Sequence, residues 1–156
     1  MNKAEELNAK IFESLKTYTT EKVEGFFETL NASDGRDYCY FLETHSAEKY
    51  PRGIYRYLAC ATKVIKPKII VEIGADKGVS ALVMASELPK KGKVYSIDIR
   101  NGWEYVPKDI NNIIKLVGDS LNKDLLQGIN LEDVEFWFID GEHENEQVQK
   151  EIDLYS

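Results

Sequence analysis

The stretch Val71-Glu72-Ile73-Gly74-Ala75-Asp76-Lys77-Gly78-Val79-Ser80 carries most of the information about the fold. It is entered through an apolar, β-branched run, residues 69–73, which predicts a strand buried on both faces. The two glycines that follow predict a tight loop, and the apolar pattern from Val79 to Leu88 predicts a helix. A strand, a glycine loop and a helix in this order indicate a ligand site at which helix N–H groups are available.

Helices are predicted before this stretch, and further strands and helices are predicted after it. Strands alternating with helices predict right-handed βαβ units, and hence a Rossmann-like, doubly wound parallel sheet, an α/β fold. We expect one such domain over residues 51–156, behind an N-terminal helical segment over residues 1–50. The predicted helices cover residues 4–16, 19–30, 51–65 and about 144–155, and the further predicted strands are Val94–Ile99, Ile113–Val117 and Val134–Ile139.

Composition limits the classes of protein that this chain can represent. With 156 residues, 43% of them hydrophobic, the chain can bury a core, which excludes a mainly disordered or collagen-like chain. No run approaches the roughly 18 apolar residues of a membrane span, and the N-terminus does not resemble a signal peptide. The net charge of −7 argues against nucleic acid and anionic lipid as partners. Two cysteines make no disulfide framework, so we expect a cytoplasmic protein.

Three classes of ligand compete for the glycine loop. A phosphate-binding P-loop needs a lysine before the serine, whereas this loop has Gly78-Val79-Ser80. A dinucleotide site needs a small residue where Asp76 stands, and Glu72 adds a second negative group beside the pyrophosphate. Such carboxylates are acceptable beside a cationic ligand without phosphate, and S-adenosylmethionine (SAM) is a ligand of this kind.

Acidic residues follow the predicted strands at the edge where ligands of α/β sheets bind. Asp98 ends the second strand, 24 residues after Gly74, where a carboxylate can accept hydrogen bonds from both ribose hydroxyls. Asp119 follows the third strand, where an adenine amino group could be read. Each of these residues is also compatible with a simple helix cap. Trp103 and Tyr105 are candidates for stacking on adenine, or equally for core packing.

These motifs together resemble those of class I SAM-dependent methyltransferases, in the small-molecule O-methyltransferase branch that includes catechol-type and sugar and macrolide enzymes. The resemblance covers about residues 50–156, and the order and spacing of its four motifs agree. The residues that carry it are Glu72-Ile73-Gly74 with Gly78-Val79-Ser80-Ala81-Leu82, Val94-Tyr95-Ser96-Ile97-Asp98, Gly118-Asp119-Ser120 and Phe138-Ile139-Asp140-Gly141-Glu142-His143.

The resemblance implies a role for each of these positions. Asp140 would lie near the transferred methyl group, where relatives use an acid to bind a divalent cation such as Mg²⁺ or to orient the acceptor. His143 would be a general base, or a partner of a residue that contacts the substrate. The simpler alternative is that Asp140 caps the following helix and His143 is a solvated residue of its first turn. The implied SAM-binding residues are Glu72, Gly74, Ala75, Gly78, Ser80, Asp98, Asp119 and Ser120.

The sequence also departs from the family pattern. Asp76 replaces the usual small residue in the loop, and four strands are predicted where the family fold has seven, so we expect the last strands to be missing. The sheet would then expose an edge near residues 136–138, and we expect a homo-oligomer through that edge or through the N-terminal helices. The predicted function is O-methylation of a small hydroxylated molecule. The alternatives are a truncated fragment that acts as a cofactor-binding or interaction module, and an NAD-dependent enzyme, against which Asp76 argues.

Overall fold

The computed structural model describes residues 2–17, 53–103, 106–141 and 145–155 of the chain. The chain divides into two compact units, Met1–Ile65 and Lys66–Ser156. The helix predicted over residues 19–30 and the domain boundary predicted at residue 50 lie outside the described residues. The elements are α1 Lys3–Thr17, α2 Gly53–Ile65, β1 Ile69–Ile73, α3 Val79–Glu87, β2 Lys93–Asp98, β3 Ile113–Val117, β4 Phe136–Ile139 and α4 Asn145–Tyr155, with short 3₁₀ helices at Lys123–Leu126 and Leu131–Asp133.

Two helices of the first unit, α1 and α2, pack against each other. Helix α1 confirms the helix predicted over residues 4–16; of its apolar residues Ile11 is buried, whereas Leu7 and Phe12 are exposed. It begins with a reciprocal cap, because the Asn2 side chain accepts a hydrogen bond from the backbone N–H of Glu5, and the Glu5 carboxylate accepts one from the N–H of Asn2. The guanidinium of Arg56 in α2 donates to the carbonyl of Leu15 in α1. No helix in the described parts of the chain is long and apolar enough to cross a membrane.

The second unit is built on a four-stranded parallel sheet with strand order β3-β2-β1-β4. This order confirms the predicted doubly wound arrangement. All four strands run in the same direction, so their carboxyl ends meet at one edge of the sheet. Strand β1 lies between β2 and β4, and Glu72 is in register with Ser96 on one side and with Phe138 on the other.

The central strand β1 is buried on both faces, as its apolar run predicts. On one face, Val71 and Ile73 form a core with residues of the other strands and of the segments that follow them. The ring of Trp137 in β4 stacks on that of Tyr155 in α4, with 4.9 Å between the ring centroids. Helix α3 contacts β2 and β3. Strand β1, which leads into the glycine loop, is therefore enclosed by the neighbouring strands and by the side chains packed on its faces.

The structure corrects two predicted strands. Strand β4 begins at Phe136 and not at Val134, because the 3₁₀ helix Leu131–Asp133 precedes it and the backbone N–H of Val134 donates to the carbonyl of Leu131. Strand β2 ends at Asp98, and Ile99 is 72% exposed, so its assignment to a buried strand was wrong.

Within the described residues, β4 pairs only with β1 and forms an edge of the sheet. The apolar side chains of β4 are half-buried there. The edge near residues 136–138 thus agrees with the sequence analysis. Self-association through this edge stays a prediction.

Candidate functional site

The loop between β1 and α3 has an unusual backbone. Three of its residues have a positive φ, with 89° at Gly74, 43° at Asp76 and 83° at Gly78. The N–H of Gly78 donates to the carbonyl of Ala75 at 2.7 Å, which closes the turn, and the N–H of Leu82 donates to the carbonyl of Gly78, which starts the helix. Glycine adopts positive φ without strain, and aspartate tolerates it better than most residues. The loop therefore brings the backbone of its two glycines to the carboxyl edge of the sheet.

Gly74 also meets a steric limit. A Cβ atom at this position would lie 2.2 Å from the carbonyl oxygen of Asp140, which follows β4. The backbone N–H of Gly74 donates to the carbonyl of Ile97 at 2.9 Å, and that of Asp140 donates to the carbonyl of Ile73 at 2.8 Å. The backbones that follow β1 and β4 are thus in direct contact, and only glycine fits at the junction.

The carboxylate of Asp98 joins two loops. Its Oδ2 accepts a hydrogen bond from the N–H of Asp76 in the glycine loop, and its Oδ1 accepts one from the N–H of Arg100, both at 2.8 Å. Each carboxylate oxygen can accept a further bond. The side chain is half-buried and held at both oxygens, so it presents a preoriented pair of acceptors.

Behind the loop lies Glu72, which is completely buried. Its two carboxylate oxygens accept hydrogen bonds from the hydroxyls of Ser80 in α3 and Ser96 in β2. Burial raises the pKa of the Glu72 carboxyl from 4.5 to about 7; the two serine hydrogen bonds oppose this rise, and the negative charges of Asp140 and Asp98 add to it. A positive charge nearby would favour the ionised form.

The residues after β3 are held by α4. Asp119 is exposed, and its Oδ1 accepts a hydrogen bond from the backbone N–H of Leu121, which is the geometry of a turn cap. Ser120 is buried and donates to the carboxylate of Glu151 at 2.6 Å. The hydroxyl of Tyr155 donates to the carbonyl of Ser120. Contact of Asp119 and Ser120 with a cofactor stays a prediction.

Of the two predicted catalytic residues, the structure describes only Asp140. Asp140 is exposed at the carboxyl end of β4, whereas His143 lies outside the described residues. Across the described parts of the chain, no three His, Cys, Asp or Glu side chains are grouped closely enough to hold a metal ion. Asp140 does not by itself make a magnesium site, and the predicted Mg²⁺ site stays a prediction.

The sequence analysis did not predict two buried polar residues of this region, Ser96 and Glu151, as site residues, and it left open whether Trp103 stacks on adenine or packs in the core. Ser96 bonds to Glu72, Glu151 bonds to Ser120, and the indole of Trp103 donates to Ser96 at 2.8 Å. Trp103 is only 4% exposed, so of the two alternatives for this residue the structure favours core packing. For Ser96 the sequence did contain a signal. A serine within an apolar strand next to the strand of Glu72 can supply the hydrogen bond that a buried carboxyl needs.

The chain is similar to proteins of known family and fold. A family model described as a methyltransferase domain matches residues 71–156, more than half of the chain. The O-methyltransferase from Bacillus cereus in complex with SAH (S-adenosylhomocysteine) is similar in fold, with a TM-score of 0.60 and 17% identity over 91% of this chain and 70% of that one. The MycE methyltransferase from the mycinamycin biosynthetic pathway, in complex with Mg and SAH, aligns with a TM-score of 0.44 and 21% identity over 58% of this chain and 24% of that one.

A search of curated proteins finds no match to this sequence. The family match nevertheless covers the glycine loop, the final helix and the acids in or after the four strands, which are Glu72, Asp98, Asp119 and Asp140. The similarity to the Bacillus cereus structure agrees with the fold implied by the resemblance. The chain therefore belongs to the methyltransferase domain family, as its resemblance to class I SAM-dependent methyltransferases predicts.

Proposed function

We propose that this protein binds SAM at the carboxyl edge of its sheet and transfers the methyl group to a hydroxyl of a small acceptor molecule. The observation that carries the proposal is the position of Asp98, whose carboxylate joins the glycine loop to the segment after β2. With one backbone N–H on each oxygen, the carboxylate keeps an acceptor position on each for a vicinal pair of hydroxyls, such as those of a ribose.

The charge of the edge supports the same ligand. Asp76, Asp119 and Asp140 are exposed there, Asp98 is half-buried, and Glu72 lies behind them. This set of carboxylates disfavours a pyrophosphate and favours a cation. SAM supplies a methyl group on a positively charged sulfur, together with an ammonium group and a ribose, and the residues present fit all three.

The role of the protein in such a transfer is mainly to position the reacting groups. Holding an acceptor oxygen in line with a methyl group can contribute roughly 7–11 kcal/mol of the barrier. The acceptor hydroxyl must also lose its proton. Asp140 is our candidate for orienting that hydroxyl, because its backbone lies against Gly74 and because Asp140 is exposed at the carboxyl edge of the sheet. His143 is the candidate base.

The first experiment is calorimetric titration of the chain with SAH, with NAD as the control ligand. We expect binding of SAH and none of NAD. Asp98→Ala should weaken SAH binding by roughly 1–3 kcal/mol, because hydrogen bonds to a carboxylate are lost. Asp133→Ala is the matched control, since it removes the same charge from an exposed residue of a 3₁₀ helix. Equal affinities of the two variants would remove Asp98 from the site.

If wild-type protein does not bind SAH, the alternative function, an interaction module without catalysis, becomes the better account. Its candidate surface is the edge of β4 and its occupant a second copy of the chain, which sedimentation at high concentration would detect. The small-molecule acceptor and the cytoplasmic location belong to the proposal, because neither follows from the family alone.

A further inference from the structure

The segment that follows β2 fits closely against the glycine loop. A Cβ atom at Gly102 would lie 1.9 Å from the carbonyl oxygen of Asp76. A Cβ atom at Gly78 would lie 2.6 Å from a methyl group of Val106 and 3.0 Å from Cδ1 of Trp103. The loop therefore rests with its backbone on this segment, and no side chain fits between them.

A chain of hydrogen bonds runs from the same segment to the far end of the loop. The indole N–H of Trp103 donates to the hydroxyl of Ser96 at 2.8 Å, and Ser96 donates to the carboxylate of Glu72. The other oxygen of that carboxylate accepts from Ser80, in the first turn of α3. Glu72 precedes the loop and Ser80 follows it, so the chain connects Trp103 to both ends of the loop.

The backbone of the loop requires support of this kind. Gly74 and Gly78 adopt a positive φ without strain, whereas Asp76 between them, with φ 43°, occupies a region that most side chains avoid. A conformation of this kind persists only where the surrounding structure determines it. The buried Trp103, 4% exposed, is the largest side chain that the loop contacts through Gly78.

We propose that Trp103 is a positioning residue of the cofactor loop, holding residues 74–78 in their binding conformation by direct contact at Gly78 and through the chain of Ser96 and Glu72. The inference rests on the proposed SAM site. Trp103 does not stack on the ligand, because it is buried in the core beneath the loop.

The test compares Trp103→Phe with Trp137→Phe, the same chemical change at the other tryptophan of the chain. Trp137 lies in β4, where it stacks on Tyr155 and packs against the core that includes Val71 and Ile73. We expect Trp103→Phe to weaken SAH binding by roughly 2- to 30-fold, the range for residues that act through a network. The affinity of Trp137→Phe should stay within about 2-fold of that of the wild type.

A second readout separates a positioning role from a general loss of stability. The amides of Gly74, Asp76 and Gly78 are all hydrogen-bonded, and their hydrogen exchange can be followed by NMR without any ligand. In Trp103→Phe we expect these three amides to exchange faster, while that of Val94 in the sheet exchanges as in wild type. Uniform acceleration of all four amides, or no change in the loop, would overturn the proposal.

Ser96→Ala is the second variant, in case Trp103→Phe does not fold. It breaks the hydrogen-bond chain in the middle and leaves the indole volume in place. It should move the NMR signal of the Trp103 indole N–H and accelerate exchange in the loop, while the signal of the Trp137 indole stays. If the wild type does not bind SAH, the proposed function fails, whereas the exchange data still decide whether Trp103 holds the loop.

Discussion

Glu72 should make the stability of the second unit depend on pH in an unusual direction. Its carboxyl is completely buried in the sheet, and burial raises its pKa from 4.5 to about 7. The unfolded chain releases this proton near pH 4.5, while the folded chain keeps it until about pH 7. Between these values the folded state binds more protons than the unfolded state, so stability falls as the pH rises.

The size of this effect follows from the two pKa values. Each pH unit in the interval contributes about 1.4 kcal/mol. The free energy of unfolding should therefore decrease by ~3 kcal/mol between about pH 4 and about pH 8 through Glu72 alone. The stabilisation that the raised pKa of Glu72 provides is fully present below pH 4.5 and is lost once the pH exceeds about 7.

The perturbation is Glu72→Gln, which removes the titration and keeps the size of the side chain. An amide can accept from one serine hydroxyl and donate to the other, so Ser80 and Ser96 keep their partners. Between about pH 4 and about pH 8 the wild type should lose ~3 kcal/mol of unfolding free energy that the variant does not lose. The variant should therefore become more stable relative to the wild type by this amount.

Urea denaturation followed by tryptophan fluorescence is the assay, because both tryptophans lie in the unit Lys66–Ser156. Glu132→Gln is the control, since Glu132 is exposed to water. A pH-dependent difference below about 1 kcal/mol for Glu72→Gln would refute the reasoning, because the folded carboxyl would then titrate close to its value in water. A difference of the same size in the control would assign the effect to net charge instead.

Two further predictions concern steric and polar contacts of the same unit. Gly74→Ala should destabilise it by at least ~2 kcal/mol in urea denaturation, because Gly74 has a positive φ and the new Cβ would clash with the backbone of Asp140. In the control Gly128→Ala, no atom lies within 4 Å of the new Cβ, so stability should change by less than about 0.5 kcal/mol. Similar values for the two variants would contradict the steric argument. Glu151→Ala should cost roughly 2–3 kcal/mol, because it leaves the buried hydroxyl of Ser120 without its acceptor, and Glu151→Gln should cost less. Equal stability of the two Glu151 variants would show that this hydrogen bond contributes little.

Much of the described fold follows from local sequence patterns. The run at residues 69–73 has the composition of a strand buried on both faces, and the structure gives a strand with those bounds. The periodicity of residues 4–16 predicts α1 to within a residue at each end. The carboxyl edge with Asp98 at a strand end also followed, because a parallel sheet brings these ends together whatever its side chains are. For the strand and the helix the signal lies within one element, whereas the edge follows from the alternation of strands and helices along the chain.

By itself, then, the sequence determined that four strands and a glycine loop are present, and it indicated the family, because burial and backbone preference depend on consecutive residues. The tertiary structure alone decided which side chains meet. It brings Ser96 to Glu72 across 24 residues, and Glu151 to Ser120 across 31, and it turns Trp103 into the core beneath the loop. It also starts β4 at Phe136, where a 3₁₀ helix ends. These contacts depend on strand order and on the packing of α4, and a pattern of consecutive residues does not encode either.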